Sequence, residues 1–156
     1  MTKPDAEETV EIAAPAPDVW ALRLDFTRLP EYNPDVSEVN RIRSGSGIGG
    51  ELGAGACYRF VLATSHGPHP VELAVSSVVE DREVVATMDG ALRAREAFQV
   101  EALSPVRCRA SLALWLELPA GIAPEVAEGV VEGGRRQIRA ELDRMNEVLS
   151  APAAPA

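Results

Sequence analysis

The stretch Thr9-Val-Glu-Ile-Ala-Ala-Pro-Ala-Pro-Asp18-Val-Trp20 decides the fold of this chain. Residues 9–13 alternate, which puts Val10 and Ile12 on the buried side of a strand. Pro15 and Pro17 follow, and Asp18 behind Pro17 is a helix-start signal. Val19, Trp20, Leu22 and Leu24 give a first short helix its apolar side, with Trp20 anchoring it to the sheet. Asp25 to Leu29 begins a second short turn, which Pro30 and Pro34 end.

Beyond that opening, strand follows strand. Val36 to Ile42 and Ala56 to Ala63 are the first two, and four more are expected near 70–80, 83–89, 91–103 and 106–117. The turn signals between these last strands (Gly67-Pro68, Asp81-Arg82, Asp89-Gly90, Ser104-Pro105) are too short for anything but an antiparallel meander. From Pro124 to Leu149 the period changes, and Ala127, Val131, Ile138, Leu142, Met145 and Leu149 fall on one helical face. The expected fold is α+β: a curved antiparallel sheet of about seven strands gripping a long C-terminal helix. Two short helices after the first strand close one end, leaving a pocket between sheet and helix.

At 156 residues the chain is one domain, and its 46% hydrophobic and 25% charged content is that of a soluble globular protein. A net charge of −9 argues against nucleic acid or an anionic membrane surface as partner. Lys3 is the only lysine, which removes a P-loop lysine and, in a polar N-terminal tail, a Schiff-base lysine. The polar opening and the lack of a long apolar run point to a cytoplasmic protein without stable membrane insertion. The expected domain spans 8–149, with disordered tails over 1–7 and, rich in Ala and Pro, over 150–156. Whether it is a monomer or a homodimer is left open.

The loop from Ser44 to Gly55 contains a G-x-G-x-x-G match at Gly45, Gly47 and Gly50. A dinucleotide fingerprint needs a helix N-terminus directly afterwards to receive the pyrophosphate. A strand follows here instead, so the segment reads as a flap or wide hairpin.

Strand parity sorts the side chains. Tyr58, Phe60 and Leu62 share the inner face, as do Val71, Leu73, Val75 and Val79, then Val84, Ala86 and Met88. Cys108, Ala110, Leu112, Leu114 and Leu116 point the same way; Cys57 points the other way, so the two cysteines should not be bonded to each other. Strand 91–103 breaks the rule once. Its inner set is Leu92, Ala94, Glu96, Phe98 and Val100, and Glu96 is its only ionisable member. A dry pocket disfavours the charged form of a carboxylate, which suits a general acid or base. The alternatives are a bulge that turns Glu96 outward, or an arginine partner.

Tyr32, Tyr58, Phe60, Met88 and Phe98 are candidate lining residues for a flat or polyenic ligand, and equally ordinary core residues. Gly129, Gly133 and Gly134 in the last helix either make room for that ligand or allow close packing. Arg135, at the edge of the inner helix face, can reach a ligand carbonyl or Glu96, or snorkel to solvent. His66 and His69 share one turn; His69 is a weaker acid–base candidate if that turn covers the cavity mouth. No third ligand near them suggests a metal. Trp115 falls on the outward phase, so a bulge turns it in or another element covers it.

The residues Val10-Glu-Ile-Ala-Ala-Pro15, Val19-Trp20, Asp25, Tyr32-x-Pro34-x-Val36, Gly49 and Gly55, with the order of elements over about 8–149, carry a resemblance. The chain resembles the START/Bet v 1-like (SRPBCC) superfamily, within it the polyketide cyclase/dehydrase and lipid-transport group. The resemblance implies the helix-grip fold and a deep cavity for a hydrophobic small molecule, with a loose link to bacterial secondary metabolism. It carries no short catalytic motif. The leading expectation is a cyclase/dehydratase-like enzyme without metal or redox cofactor, in which Glu96 moves a proton while Tyr58 or Arg135 holds a carbonyl oxygen. The alternatives are a non-catalytic carrier with the same pocket, and an interaction module whose cavity is vestigial.

Overall fold

Alternating strands joined by tight turns leave the chain little choice but to pair each strand with its neighbour. The computed structural model describes residues 2–150. Over them runs β1 (Ala6–Ile12), α1 (Ala16–Leu24), a 3-10 turn (Phe26–Glu31), β2 (Val36–Arg43) and a short 3-10 turn (Gly50–Leu52). There follow β3 (Cys57–Thr64), β4 (Gly67–Val79), β5 (Glu83–Asp89), β6 (Arg93–Ser104), β7 (Arg107–Glu117) and α2 (Pro124–Ser150). The strands form one seven-stranded antiparallel sheet in the order β1-β7-β6-β5-β4-β3-β2. The helix-grip α+β architecture expected from the sequence is the one observed.

The inner faces of the strands and α2 enclose the core. Ile12, Tyr58, Leu73, Phe98, Leu112, Leu142 and Met145 are all buried within it. α2 lies chiefly over β1 and β7, at one side of the sheet, and α1 crosses near β5, β6 and β7. Trp20 pins α1 to the sheet by donating from Nε1 to the carbonyl of Glu83 at 3.2 Å. Asp25 ends α1 and starts the next turn, its Oδ1 accepting from the Thr27 amide at 3.1 Å. Cys57 is half-buried on the outer phase and Cys108 is buried on the inner one; both are free.

Two expectations need correction. The phase of β4 slips at a bulge between Val75 and Ser77, so Val78 packs against the core while Val79 is 45% exposed. The first strand begins at Ala6, inside the segment expected as a tail over 1–7. β7 extends past the partners of Thr9 and offers backbone groups to Ala6, Glu7 and Glu8. The Asp5 amide continues the ladder by donating to the Leu114 carbonyl at 2.8 Å, and its side-chain Oδ2 accepts from the Leu116 amide at 2.7 Å. This segment also settles Trp115, whose Nε1 donates to the Thr2 carbonyl at 2.9 Å under an Arg95 guanidinium 4.2 Å from the ring centroid. The glycine loop takes one of the two forms expected for it. It is a wide hairpin closed by a bridge between Ser46 and Ala54, with Arg41 and Glu51 paired at 3.0 Å across its base. The Ala/Pro tail expected over 150–156 lies outside the described residues, except for Ser150 at the end of α2.

Candidate functional site

Between the sheet and α2 lies a cavity of about 630 Å³. Most of its wall is apolar, from side chains such as Phe60, Leu73, Met88, Leu114 and Val130. Gly133 and Gly134 form part of the helical side. Both expected roles of these glycines are present. A Cβ on Gly134 would sit 2.8 Å from the Leu114 Cδ2, whereas one on Gly133 would meet nothing nearer than the Arg136 side chain at 4.0 Å. Asp35, Thr64 and Ser65 are exposed residues of the wall and mark its mouth.

The polar end of the cavity is built by α1, β6 and α2. Arg23 falls on the same helical stripe as Ala16, Val19 and Trp20, and it is 1% exposed. Its Nη2 donates to Oε1 of Glu96 on β6, and its Nη1 to Oε1 of Glu141 on α2 at 2.9 Å. Nη1 also lies 3.5 Å from the Tyr32 hydroxyl. The guanidinium sits 5.1 Å and 5.8 Å from the ring centroids of Phe26 and Tyr32. Asn33 donates from Nδ2 to the second oxygen of Glu141 at 3.1 Å. Both oxygens of Glu141 are thus engaged, while among the described residues no hydrogen bond engages Oε2 of Glu96. Glu96, Glu141 and Asn33 all line the cavity; Arg23 does not.

Burial pushes a guanidinium down, but the charges of Glu96, Tyr32 and Glu141 more than offset this and hold Arg23 above its ordinary value. Burial pushes the Glu141 carboxyl up, and the neighbouring Glu96 adds to it; Arg23 and the Asn33 hydrogen bond pull the other way without cancelling the rise. Tyr32 is likewise raised by burial, against the pull of Arg23.

The expected site residues divide. Glu96, Phe60 and Met88 line the cavity, and Glu96 has the arginine partner that was one of its alternatives. Tyr32 belongs to the polar cluster behind the wall. Tyr58 and Phe98 are buried outside the lining, with Tyr58 packed on Phe26 at 5.5 Å between centroids. Among the described residues the Tyr58 hydroxyl has no hydrogen-bond partner, and burial pushes its pKa up to about 12. Arg135 is a correction. Because α2 lies over β1, the edge of its inner face meets that strand and not the cavity. Arg135 donates to the carbonyls of Glu7 and Asp5 at 3.5 Å and pairs with Glu8 at 3.9 Å. His66 is exposed in the β3–β4 hairpin and His69 is partly exposed opposite Leu62; neither lines the cavity.

Arg23, Asn33 and Glu141 escaped the sequence reading. The signal was available: Glu141 sits among Ile138, Leu142 and Met145 on the apolar stripe of α2, as Glu96 does on β6.

A sheet gripping a long helix around such a cavity can be compared with known proteins. The family model described as polyketide cyclase / dehydrase and lipid transport matches residues 3–150, nearly the whole chain. The chain belongs to this family. Its fold is similar to a START superfamily protein from Mycobacterium smegmatis, at 17% identity and a TM-score of 0.77 over 93% of this chain and 98% of that one. It is also similar to the di-domain ARO/CYC BexL from the BE-7585A biosynthetic pathway, at 15% identity and a TM-score of 0.75 over 94% of this chain and 47% of that one. A third likeness is to StfQ, a di-domain ARO/CYC from the steffimycin biosynthetic pathway, at 14% identity and a TM-score of 0.69 over 92% of this chain and 44% of that one. No curated protein matches the chain in sequence. Among the described residues no helix is long and apolar enough to cross a membrane.

Proposed function

We propose that this family member is a cyclase/dehydratase-type enzyme acting on a hydrophobic, oxygen-bearing small molecule of polyketide-like character. The observation that carries this reading is one carboxylate oxygen, Glu96 Oε2, which no hydrogen bond engages among the described residues, at the polar end of a mostly apolar cavity. Membership of the family and the likeness of fold to two ARO/CYC proteins support it. In this reading Oε2 removes a proton from the carbon next to a substrate carbonyl. For dehydration it then returns that proton to the β-hydroxyl, which leaves as water and restores the carboxylate. For ring closure the same abstraction generates the enolate that attacks a second carbonyl, and the alkoxide so formed takes the proton back from Glu96, restoring the carboxylate. Asn33, which has a second amide N–H, and Gln137 line the cavity and are the donors for the enolate oxygen. Tyr58 and Arg135 are outside the lining and are given no part in that role. The shape of the wall orients the substrate, and orientation can supply about 7 kcal/mol or more of the barrier reduction.

The test uses the aldol adduct of benzaldehyde and acetone, whose dehydration gives an absorbing enone. Glu96→Gln keeps the size of the side chain and an acceptor for Arg23. It is expected to lower turnover by about a hundredfold or more while changing ligand affinity only a few-fold. Equal turnover in the variant would remove Glu96 from the chemistry. No turnover in either protein, with binding intact, would favour a carrier.

A further inference from the structure

The charge pattern of the cavity says more than its size. Its titratable lining residues are Asp35, Glu96 and Glu141, all acidic, and among the described residues no lysine, arginine or histidine lines it. The one buried cation among the described residues, Arg23, is 1% exposed and is engaged by Glu96, Glu141 and Tyr32. A ligand entering this cavity therefore meets carboxylate oxygens and not the guanidinium. The whole chain, at −9, adds repulsion of the same sign.

We propose that the cavity selects uncharged ligands whose buried end carries a hydroxyl, phenolic or enolic, and rejects hydrophobic carboxylates and phosphates. This rests on the cavity reading above and names the ligand class it serves. The hydroxyl donates to Oε2 of Glu96, a charge-assisted hydrogen bond that the wall leaves unfilled. A carboxylate in its place would lose its hydration, gain no cationic partner, and lie against two carboxyl groups. An ammonium group gains less than the acidic lining alone implies. Glu96 and Glu141 already share the Arg23 guanidinium, which occupies one oxygen of each. Apolar walls then fix the remainder of the ligand as hydrocarbon.

The test is a ranking of four probes of one shape on the wild-type protein at neutral pH: naphthalene, naphthol, naphthoate and naphthylmethylamine. Each is titrated by calorimetry. Naphthol is expected to bind tightest, about tenfold or more above naphthoate, since one charge-assisted hydrogen bond is gained and one like-charge contact avoided. In Glu96→Gln, with its fold checked by circular dichroism, the gap should narrow mainly because naphthoate gains. Naphthoate binding as well as naphthol would overturn the proposal, and so would naphthylmethylamine binding more tightly than naphthol. If naphthalene binds but naphthol shows no advantage, the cavity stands and the hydroxyl selection falls. If none of the four binds, the cavity reading itself fails, and the selection fails with it.

Discussion

Arg23 on α1 and Glu141 on α2, 118 residues apart in sequence, meet inside the protein with Nη1 and Oε1 2.9 Å apart. Each side chain is nearly sealed from solvent. The contact joins the first helix to the last, with Glu96 of β6 as its third member, so it fixes how the helices sit over the sheet. It also decides which polar atoms the cavity presents.

Removing the cation should therefore be costly. Arg23→Met keeps much of the side-chain volume but leaves Glu96 and Glu141 buried without their cation, Glu141 keeping only the Asn33 hydrogen bond. Breaking a buried pair in this way costs about 3–5 kcal/mol, well above the cost of losing an exposed ion pair. Urea denaturation should show the loss. The deficit should be smaller at about pH 5 than at about pH 8, because the orphaned carboxyls can be buried protonated.

Glu141 gives a pH dependence of unusual sign. Its folded pKa lies above the ordinary value of 4.5, so the folded chain holds that proton more tightly than the unfolded chain. The associated stability is fully present below the unfolded pKa and is lost as pH rises through the folded one. Glu141→Gln cannot titrate. The difference in unfolding free energy, wild type minus variant, should fall as pH rises from about 4. A difference that rises with pH would mean that Arg23 dominates and holds the carboxyl low.

Much of this architecture was legible because two periods carry it. Alternation holds over most of β6 and the first half of β7, and the 3.6-residue repeat marks α2, so the strand and helix assignments needed no tertiary information. Val79 was misread because a bulge inserts one residue without any mark in composition. The strand segment before Thr9 was missed because it lies at the sheet edge and is mostly polar. Glu96 was found by looking for a charge on an apolar strand phase. The same search along helix stripes would have found Arg23 and Glu141. That the three meet could not be read, since their contact depends on how α1 and α2 are laid across the sheet.

The glycines of α2 should respond differently to alanine. At Gly129 an added Cβ meets nothing within 4 Å, so Gly129→Ala should stabilise the protein by up to about 1 kcal/mol through helix propensity. At Gly134 the same atom meets the Leu114 side chain at 2.8 Å, and its displacement should cancel that gain. Thermal melts of the two variants check the difference. Leucine at Gly133, which lines the cavity with room to spare, should abolish naphthol binding while the protein stays folded.

Tyr58→Phe should cost nothing in stability, and a gain of about 1 kcal/mol is expected. The ring keeps its packing on Phe26, and the hydroxyl removed is buried with no protein group to bond. A loss of more than about 1 kcal/mol would show that the hydroxyl is hydrogen-bonded in solution.

The most direct measurement of the central claim is native mass spectrometry of the protein purified from its own producing organism, beside a denatured control. The account predicts one small molecule per chain, hydrophobic, uncharged and bearing a hydroxyl, released on denaturation. A protein that arrives empty, and then takes up neither naphthol nor a hydrophobic dye, would contradict it.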